Sequence, residues 1–183
     1  ILVMDSHLDT PALLVRPGFD IMAKHDPRLD YSQVDYPRMQ EGGLDGGFWV
    51  IYSPLGPVYA ACFQGSRDTA LLTALAIHKM VAEHGDIFEL ATTALDGPRI
   101  HAAGKRVVYL SIENAYPLGE DLSLLKTFSD LGVRMIGPVH FRNNQFGDSS
   151  TDPDGQQWQG LSPLGKELVA QANRLGLILD GSH

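Results

Sequence analysis

Histidines and carboxylates recur in this sequence at one kind of place, where a short apolar run gives way to polar chain. Ile1-Leu2-Val3-Met4 is followed by Asp5-Ser6-His7-Leu8-Asp9, and Val107-Val108-Tyr109-Leu110-Ser111-Ile112 ends in Glu113. The run from Val133 to Val139 ends in His140, and Leu177-Ile178-Leu179 leads to His183. One histidine at a strand end is ordinarily a hydrogen-bonded loop residue. The joint placement of His7, Asp9, Glu113 and His183 asks for a common cause. Two imidazoles and two carboxylates suit borderline divalent ions, zinc first. A carboxylate is the usual bridge where two metals lie about 3.5–4 Å apart. Such a pair acidifies water and polarises a carbonyl oxygen, which is hydrolytic chemistry without a serine or cysteine nucleophile.

The apolar runs are the elements that must position these groups. Phe48-Trp49-Val50-Ile51-Tyr52 reads as a further strand, closed by Pro54. Residues 16–43 read as a long excursion with a short helix around Tyr36–Gln40. A helix is expected over 67–84 on the stripe Leu71, Leu72, Leu75, Ile77 and Val81, with Gly85 to stop it. Leu124, Leu125, Phe128 and Leu131 mark another. Ser162 and Pro163 read as the cap and first residue of a third, continued by Leu164, Leu168, Ala172 and Leu175 and closed by Gly176. Leu131-Gly132-Val133 and Leu175-Gly176-Leu177 repeat one junction, helix to glycine to strand, which predicts parallel strands.

Rossmann-like and barrel sheets both fit that alternation. A Rossmann sheet carries a glycine fingerprint after its first strand, and Asp5-Ser6-His7 offers none. A barrel gathers its chemistry from the C-terminal ends of several strands, which is where these residues stand. Side-chain alternation puts His7 with Asp9 on one face, and Tyr109 and Ser111 with Glu113, while Val108, Leu110 and Ile112 point the other way. Gly42-Gly43 and Gly46-Gly47 have no Lys-Ser/Thr after them, so they read as a turn that lets a strand approach its neighbours rather than a phosphate cradle.

Composition sets the outer limits. The 183 residues are 44% hydrophobic and 20% charged, ordinary for a globular chain with a sizeable core. A net charge of -8, from 14 basic and 22 acidic residues, argues against a nucleic-acid partner. No apolar run approaches the roughly 18 residues of a membrane span, and no signal-peptide pattern is visible. The chain opens on Ile1, which keeps cytoplasmic and periplasmic or secreted locations both open. Cys62 has no partner cysteine in the chain and reads as a small buried hydrophobe. His25, His78, His84 and His101 lack the strand-end context and read as surface residues.

In the same order and spacing, the chain resembles the renal (membrane) dipeptidase family almost throughout. Asp5-Ser6-His7-Leu8-Asp9 is similar to that family's Asp-x-His-x-Asp start, and Gly42-Gly43-Leu44-Asp45-Gly46-Gly47-Phe48-Trp49 to its Gly-Gly-Val...Phe segment. Ser111-Ile112-Glu113-Asn114 is similar to the strand end with the bridging glutamate. Leu131-Gly132-Val133-Arg134, His140 and Asn143-Asn144 resemble its Leu-Gly-x-Arg...Thr-His...Asn stretch. Gly160-Leu161-Ser162-Pro163-Leu164-Gly165, Asn173-Arg174-Leu175-Gly176 and Asp180-Gly181-Ser182-His183 follow its later motifs.

The resemblance implies a TIM-type (β/α)8 barrel, of which this chain holds roughly the first five strands. Residues 1–183 would form the N-terminal part of one metal-dependent hydrolase domain. It implies two divalent ions, most plausibly Zn2+. His7 and Asp9 would bind one, His183 the other, and Glu113 would bridge them. His140 would contact substrate and stabilise charge on the scissile oxygen. The implied activity is hydrolysis of dipeptides by a hydroxide held between the metals, with tolerance of a D-residue at the C-terminal position, and the implied assembly is a homodimer. A further histidine ligand and the substrate-carboxylate residues lie, in the family, beyond the position matching His183. Phe141-Arg142 replaces small residues of the family, and Arg142 is expected at the pocket mouth, biasing the site toward acidic or small polar side chains. The rival readings are another amidohydrolase-type barrel, a cyclic amidase or deaminase, or a non-catalytic metal-binding relative. The amidohydrolases begin with His-x-His, where this chain has His7-Leu8-Asp9.

Overall fold

The first strand starts later than its apolar run suggests. In the computed structural model, which describes residues 1–183, β1 is Met4–Leu8, so Asp5, Ser6 and His7 lie within the strand rather than after it. β2 is Gly46–Tyr52 and runs parallel to β1, with Met4 opposite Gly46 and Asp5 opposite Gly47. A Cβ at Gly46 would fall 2.7 Å from the Val107 nitrogen, and one at Gly47 2.6 Å from the Asp5 carbonyl oxygen. Gly46 and Gly47 are therefore required by close strand approach, as expected, but they stand within β2 rather than in a turn, and a Cβ at Gly42 or Gly43 would meet nothing.

The chain divides into two compact units, Ile1–Ile51 with Leu72–Leu110, and Tyr52–Leu71 with Ser111–His183. The first unit holds β1, β2, the short helices α1 (Pro11–Leu14), α2 (Pro27–Asp30) and α3 (Tyr36–Gly42), and the C-terminal part of α4 (Ala60–Glu83). It also holds β3 (Phe88–Leu90), α5 (Asp96–Ala102) and most of β4 (Arg106–Glu113). Trp49, Ile51, Ile77, Phe88, Ile100, Val107 and Val108 are fully buried here, with Trp49 edge-on to Phe88 at 5.8 Å between centroids. β3 and α5 were not foreseen, which makes six strands rather than five. A three-residue strand is too short to show alternation. It is defined instead by its parallel partner β4, where Arg106 N donates to Ile87 O at 2.7 Å and Ala91 N to Val108 O at 2.8 Å. α5 is anchored by Asp96, whose carboxylate accepts from the Thr92 and Thr93 amides at 2.9 and 2.7 Å. Those bonds, with Arg99, hold it far below the usual carboxylate range.

α4 begins at Ala60, earlier than position 67, and its phase differs from the expected stripe. Phe63, Ala70, Thr73, Ala74, Ile77 and Met80 are its buried residues, so of the expected stripe only Ile77 is buried, whereas Leu72 and Leu75 are 62% and 56% exposed. Leucine count misleads here because the alanines follow the same helical period. Cys62, on the same helix, is half-buried rather than buried.

The excursion after α1 is more ordered than its composition suggests. His25 stacks on Phe19 at 4.4 Å, and its Nε2 lies 2.7 Å from the Asp20 carbonyl oxygen while Nδ1 meets an Asp30 carboxylate oxygen. Its backbone amide donates to Asp35, which also caps α3 and binds Arg38 at 2.7 Å. His25 is thus no loose surface residue. Both ring partners only accept, so the ring needs both N–H groups, and its pKa is raised, by the Asp20 carbonyl first and Asp30 next, against burial. Its folded pKa exceeds the unfolded value of about 6.5, so this stabilisation is complete below about pH 6.5 and fades as pH rises through the raised value. Hydrogen exchange of residues 20–36 should accelerate selectively over that interval, in step with the His25 ring titration by NMR. Exchange independent of the His25 titration would refute the assignment.

In the second unit β4 ends at Glu113, followed by a 3-10 turn (Tyr116–Leu118), α6 (Ser123–Asp130), β5 (Val133–Ile136), α7 (Pro163–Leu175) and β6 (Ile178–Leu179). β5 and β6 are parallel, Met135 opposite Ile178. β5 stops at Ile136, short of Val139. Gly137 still donates to Ile112 O at 2.9 Å, but Pro138 has no N–H with which to continue the ladder. His140 therefore sits on a loop, and strand alternation says nothing of Arg142.

α7 matches its sequence signals. The Ser162 hydroxyl accepts from Gly165 N at 2.9 Å and donates to Gln145 O at 2.6 Å, and Gly176 ends the helix in the left-handed region at φ 69°. Ser162→Ala is expected to cost about 1–2 kcal/mol, because it strands a buried carbonyl as well as a helix amide. Denaturant unfolding measures the cost. Turnover should stay within a few-fold, and an inactive but folded variant would refute a purely structural role.

Candidate metal centre

β4 delivers Glu113 at its last position, 9% exposed. The next residue, Asn114, takes a left-handed backbone at φ 68°, tolerated in asparagine better than in most side chains. It is held there at both ends of its amide. Nδ2 donates to Ser53 O at 2.8 Å, and Oδ1 accepts from Asn144 Nδ2 at 2.9 Å. Asn144 Nδ2 also donates to Pro138 O at 2.8 Å, so the Glu113 strand end and the His140 loop are tied by one buried pair of amides. Sequence reading carried Asn114 and Asn144 only as parts of motifs. Their only signal was an asparagine directly after β4 and another on the loop that follows β5.

His140 Nε2 lies 3.4 Å and His183 Nε2 3.1 Å from the same Glu113 oxygen, Oε1. Glu113, His140 and His183 each offer a ligand atom, all within 4.8 Å of one another. The imidazoles meet edge to face at 4.4 Å, Tyr52 tilts against His140 at 4.9 Å, and Phe141 packs on both histidines. Ser111 Oγ, on the strand face that also carries Glu113, is buried without a hydrogen-bond partner. One carboxylate and two imidazoles converging at partly buried positions fit a divalent ion of the zinc type, by donor chemistry and by reach.

In the first unit, His7 Nε2 lies 3.3 Å from Asp9 Oδ1. Both line a cavity of about 350 Å³ whose walls include Asp5, Arg16, Tyr31 and Gln33. His7 and Asp9 thus meet as their alternation predicts, one imidazole and one carboxylate presented together. Arg142, expected at a pocket mouth, is ion-paired. Its Nη1 lies 3.3 Å from both Asp152 Oδ1 and Asp154 Oδ2, beside a cavity of about 540 Å³ that Leu55 and Asn143 also line.

A family model described as membrane dipeptidase, peptidase family M19, matches residues 1–183. The chain is 32% identical over 160 residues to dipeptidase aclJ of Aspergillus oryzae, which covers 84% of this chain and 37% of that protein. The crystal structure of the probable dipeptidase PvdM from Pseudomonas aeruginosa superposes with a TM-score of 0.85 at 31% identity, over 98% of this chain and 46% of that one. A metallopeptidase from Rhodobacter sphaeroides, solved with a phosphinate mimic of the dipeptide L-Ala-D-Ala, gives a TM-score of 0.77 at 32% identity, over 100% of this chain and 59% of that one. The chain spans about half the length of the relatives it matches. No helix in it is long and apolar enough to cross a membrane.

Proposed function

Because this chain belongs to the membrane dipeptidase family, peptidase family M19, we propose that its protein hydrolyses dipeptides with two divalent metal ions, most plausibly zinc, including dipeptides with a D-residue at the C-terminal position. The observation that carries the reading is Glu113 with His140 and His183 both turned toward one of its oxygens. Residues 1–183 are read as the N-terminal part of one TIM-type barrel domain. In this reading His7 and Asp9 would hold one ion and His183 the other, with Glu113 the carboxylate that would serve both.

Bound ions supply a Lewis acid and a water made nucleophilic at neutral pH. The side chains do the rest. Glu113 would balance the charge of the cations from a buried position at the end of β4, and the Asn114–Asn144 hydrogen bond ties that strand end to the loop that carries His140. His140 stands on the loop beside it, able to donate a hydrogen bond to the scissile oxygen as negative charge develops there. Tyr52 and Phe141 flank its ring and limit its rotation. Arg142, two residues on, has its charge answered by two aspartates. The D-residue tolerance rests on likeness to the Rhodobacter enzyme, whose bound mimic has that configuration.

The test is a panel of dipeptides and tripeptides, with L- and D- C-terminal residues, assayed with added zinc. Dipeptides should be cleaved and tripeptides spared. Efficient tripeptide cleavage, or no dipeptide cleavage by the metal-loaded protein, would overturn the reading and favour another amidohydrolase chemistry.

A further inference from the structure

Phe141 is an apolar ring left 58% exposed, and it packs against two imidazoles. Its centroid lies 4.0 Å from that of His140 and 5.0 Å from that of His183, the latter at 87°. It therefore touches both histidines of the candidate metal centre while one side faces solvent. An aromatic surface beside a few convergent polar groups is the usual composition of a small-molecule pocket wall.

The backbone from Phe141 onward is fastened. Thr151 Oγ1 donates to Phe141 O at 3.2 Å, Asn143 N donates to Asp152 Oδ2 at 2.6 Å, and Asn143 Nδ2 donates to Gly155 O at 2.7 Å. A ring held this way meets a ligand with little ordering cost. The adjacent charge is already spent. Arg142 is paired with Asp152 and Asp154, so it offers an incoming acidic side chain two carboxylates along with its one guanidinium.

We infer that Phe141 is a specificity-determining residue whose ring forms an apolar wall beside His140 and His183 and favours dipeptides with a large apolar side chain, while Arg142 confers no acidic preference. This rests on the dipeptidase reading above and adds the side-chain class to it. The contact is apolar and partial, so it discriminates by about tenfold or somewhat more, the range of a few methylenes in a hydrophobic pocket.

Two phosphinate dipeptide mimics, one with methyl and one with isobutyl or benzyl side chains, are titrated calorimetrically into the zinc-loaded protein. kcat/KM for the matching Ala and Leu or Phe dipeptides is measured in parallel. Phe141→Ala should weaken the large mimic by about tenfold and the small one by less than about twofold. Phe141→Leu should recover part of the difference, and bound zinc should be unchanged in both. Arg142→Ala should leave the large-to-small ratio as it is and should not raise Kd for a glutamate-like mimic selectively. An unchanged ratio in Phe141→Ala, or loss of zinc from it, overturns the inference. Failure of the unaltered protein to bind any mimic or cleave any dipeptide overturns the dipeptidase reading and this inference with it.

Discussion

Glu113→Gln should empty both metal positions. The substitution keeps shape and hydrogen-bonding capacity but removes the one negative charge toward which His140 and His183 both turn, at 3.4 and 3.1 Å. A neutral amide oxygen is a far poorer ligand than a carboxylate, and a bridge that fails weakens two sites at once. Changes to residues that only orient a ligand already cost about 10–100-fold in metal affinity, so loss of a shared ligand should cost at least about 100-fold at each. Metal content after dialysis against a graded chelator measures it, and turnover should fall in proportion to metal lost. The fold should survive, because the Asn114 and Asn144 amides do not use the Glu113 side chain. Two ions retained at unchanged affinity would make Glu113 structural and remove the premise of a shared carboxylate.

His140→Ala is expected to separate catalysis from metal binding. If His140 donates to the developing oxyanion, its removal costs about 10²–10³ in kcat with KM little changed, as for other single oxyanion donors. Both ions should remain bound. The geometry allows a competing role, because His140 is within ligand reach of the same group as Glu113 and His183. Metal analysis decides between them. Loss of an ion in His140→Ala assigns the imidazole to the metal and refutes the oxyanion role. Retention of both ions with a depressed kcat supports it. His140→Gln gives a second check, since a side chain that still donates a hydrogen bond should recover part of kcat.

Much of this was legible in the residues themselves. Element type and order could be read where periodicity was long, as in β4, α6 and α7, and where caps were explicit, as at Ser162 and Gly176. The need for glycine at 46 and 47 was also readable, and the structure supplies its reason in the Val107 and Asp5 backbones. Short elements were not legible. β3 has three residues, and its existence depends on the hydrogen bonds β4 offers it. The buried face of α4 was misassigned because helical phase is settled by what the helix packs on, and small alanines won over leucines there.

The candidate site divides along the same line. Sequence alone marked which residues could carry chemistry, because imidazole and carboxylate after successive apolar runs is a pattern of residue type and order, and both belong to the chain before it folds. Tertiary structure alone decided how they are used within each unit. β5 ends at Ile136, two residues before Pro138, which leaves His140 on a loop where alternation no longer applies. Asn114 and Asn144 meet across 30 residues and tie the strand end that carries Glu113 to the loop that carries His140. Arg142 is claimed by aspartates 10 and 12 residues away, leaving Phe141 as the exposed neighbour of the imidazoles. Partner choice among charged and aromatic side chains depends on distances of 3 to 5 Å between segments remote in sequence, and no local pattern encodes such distances.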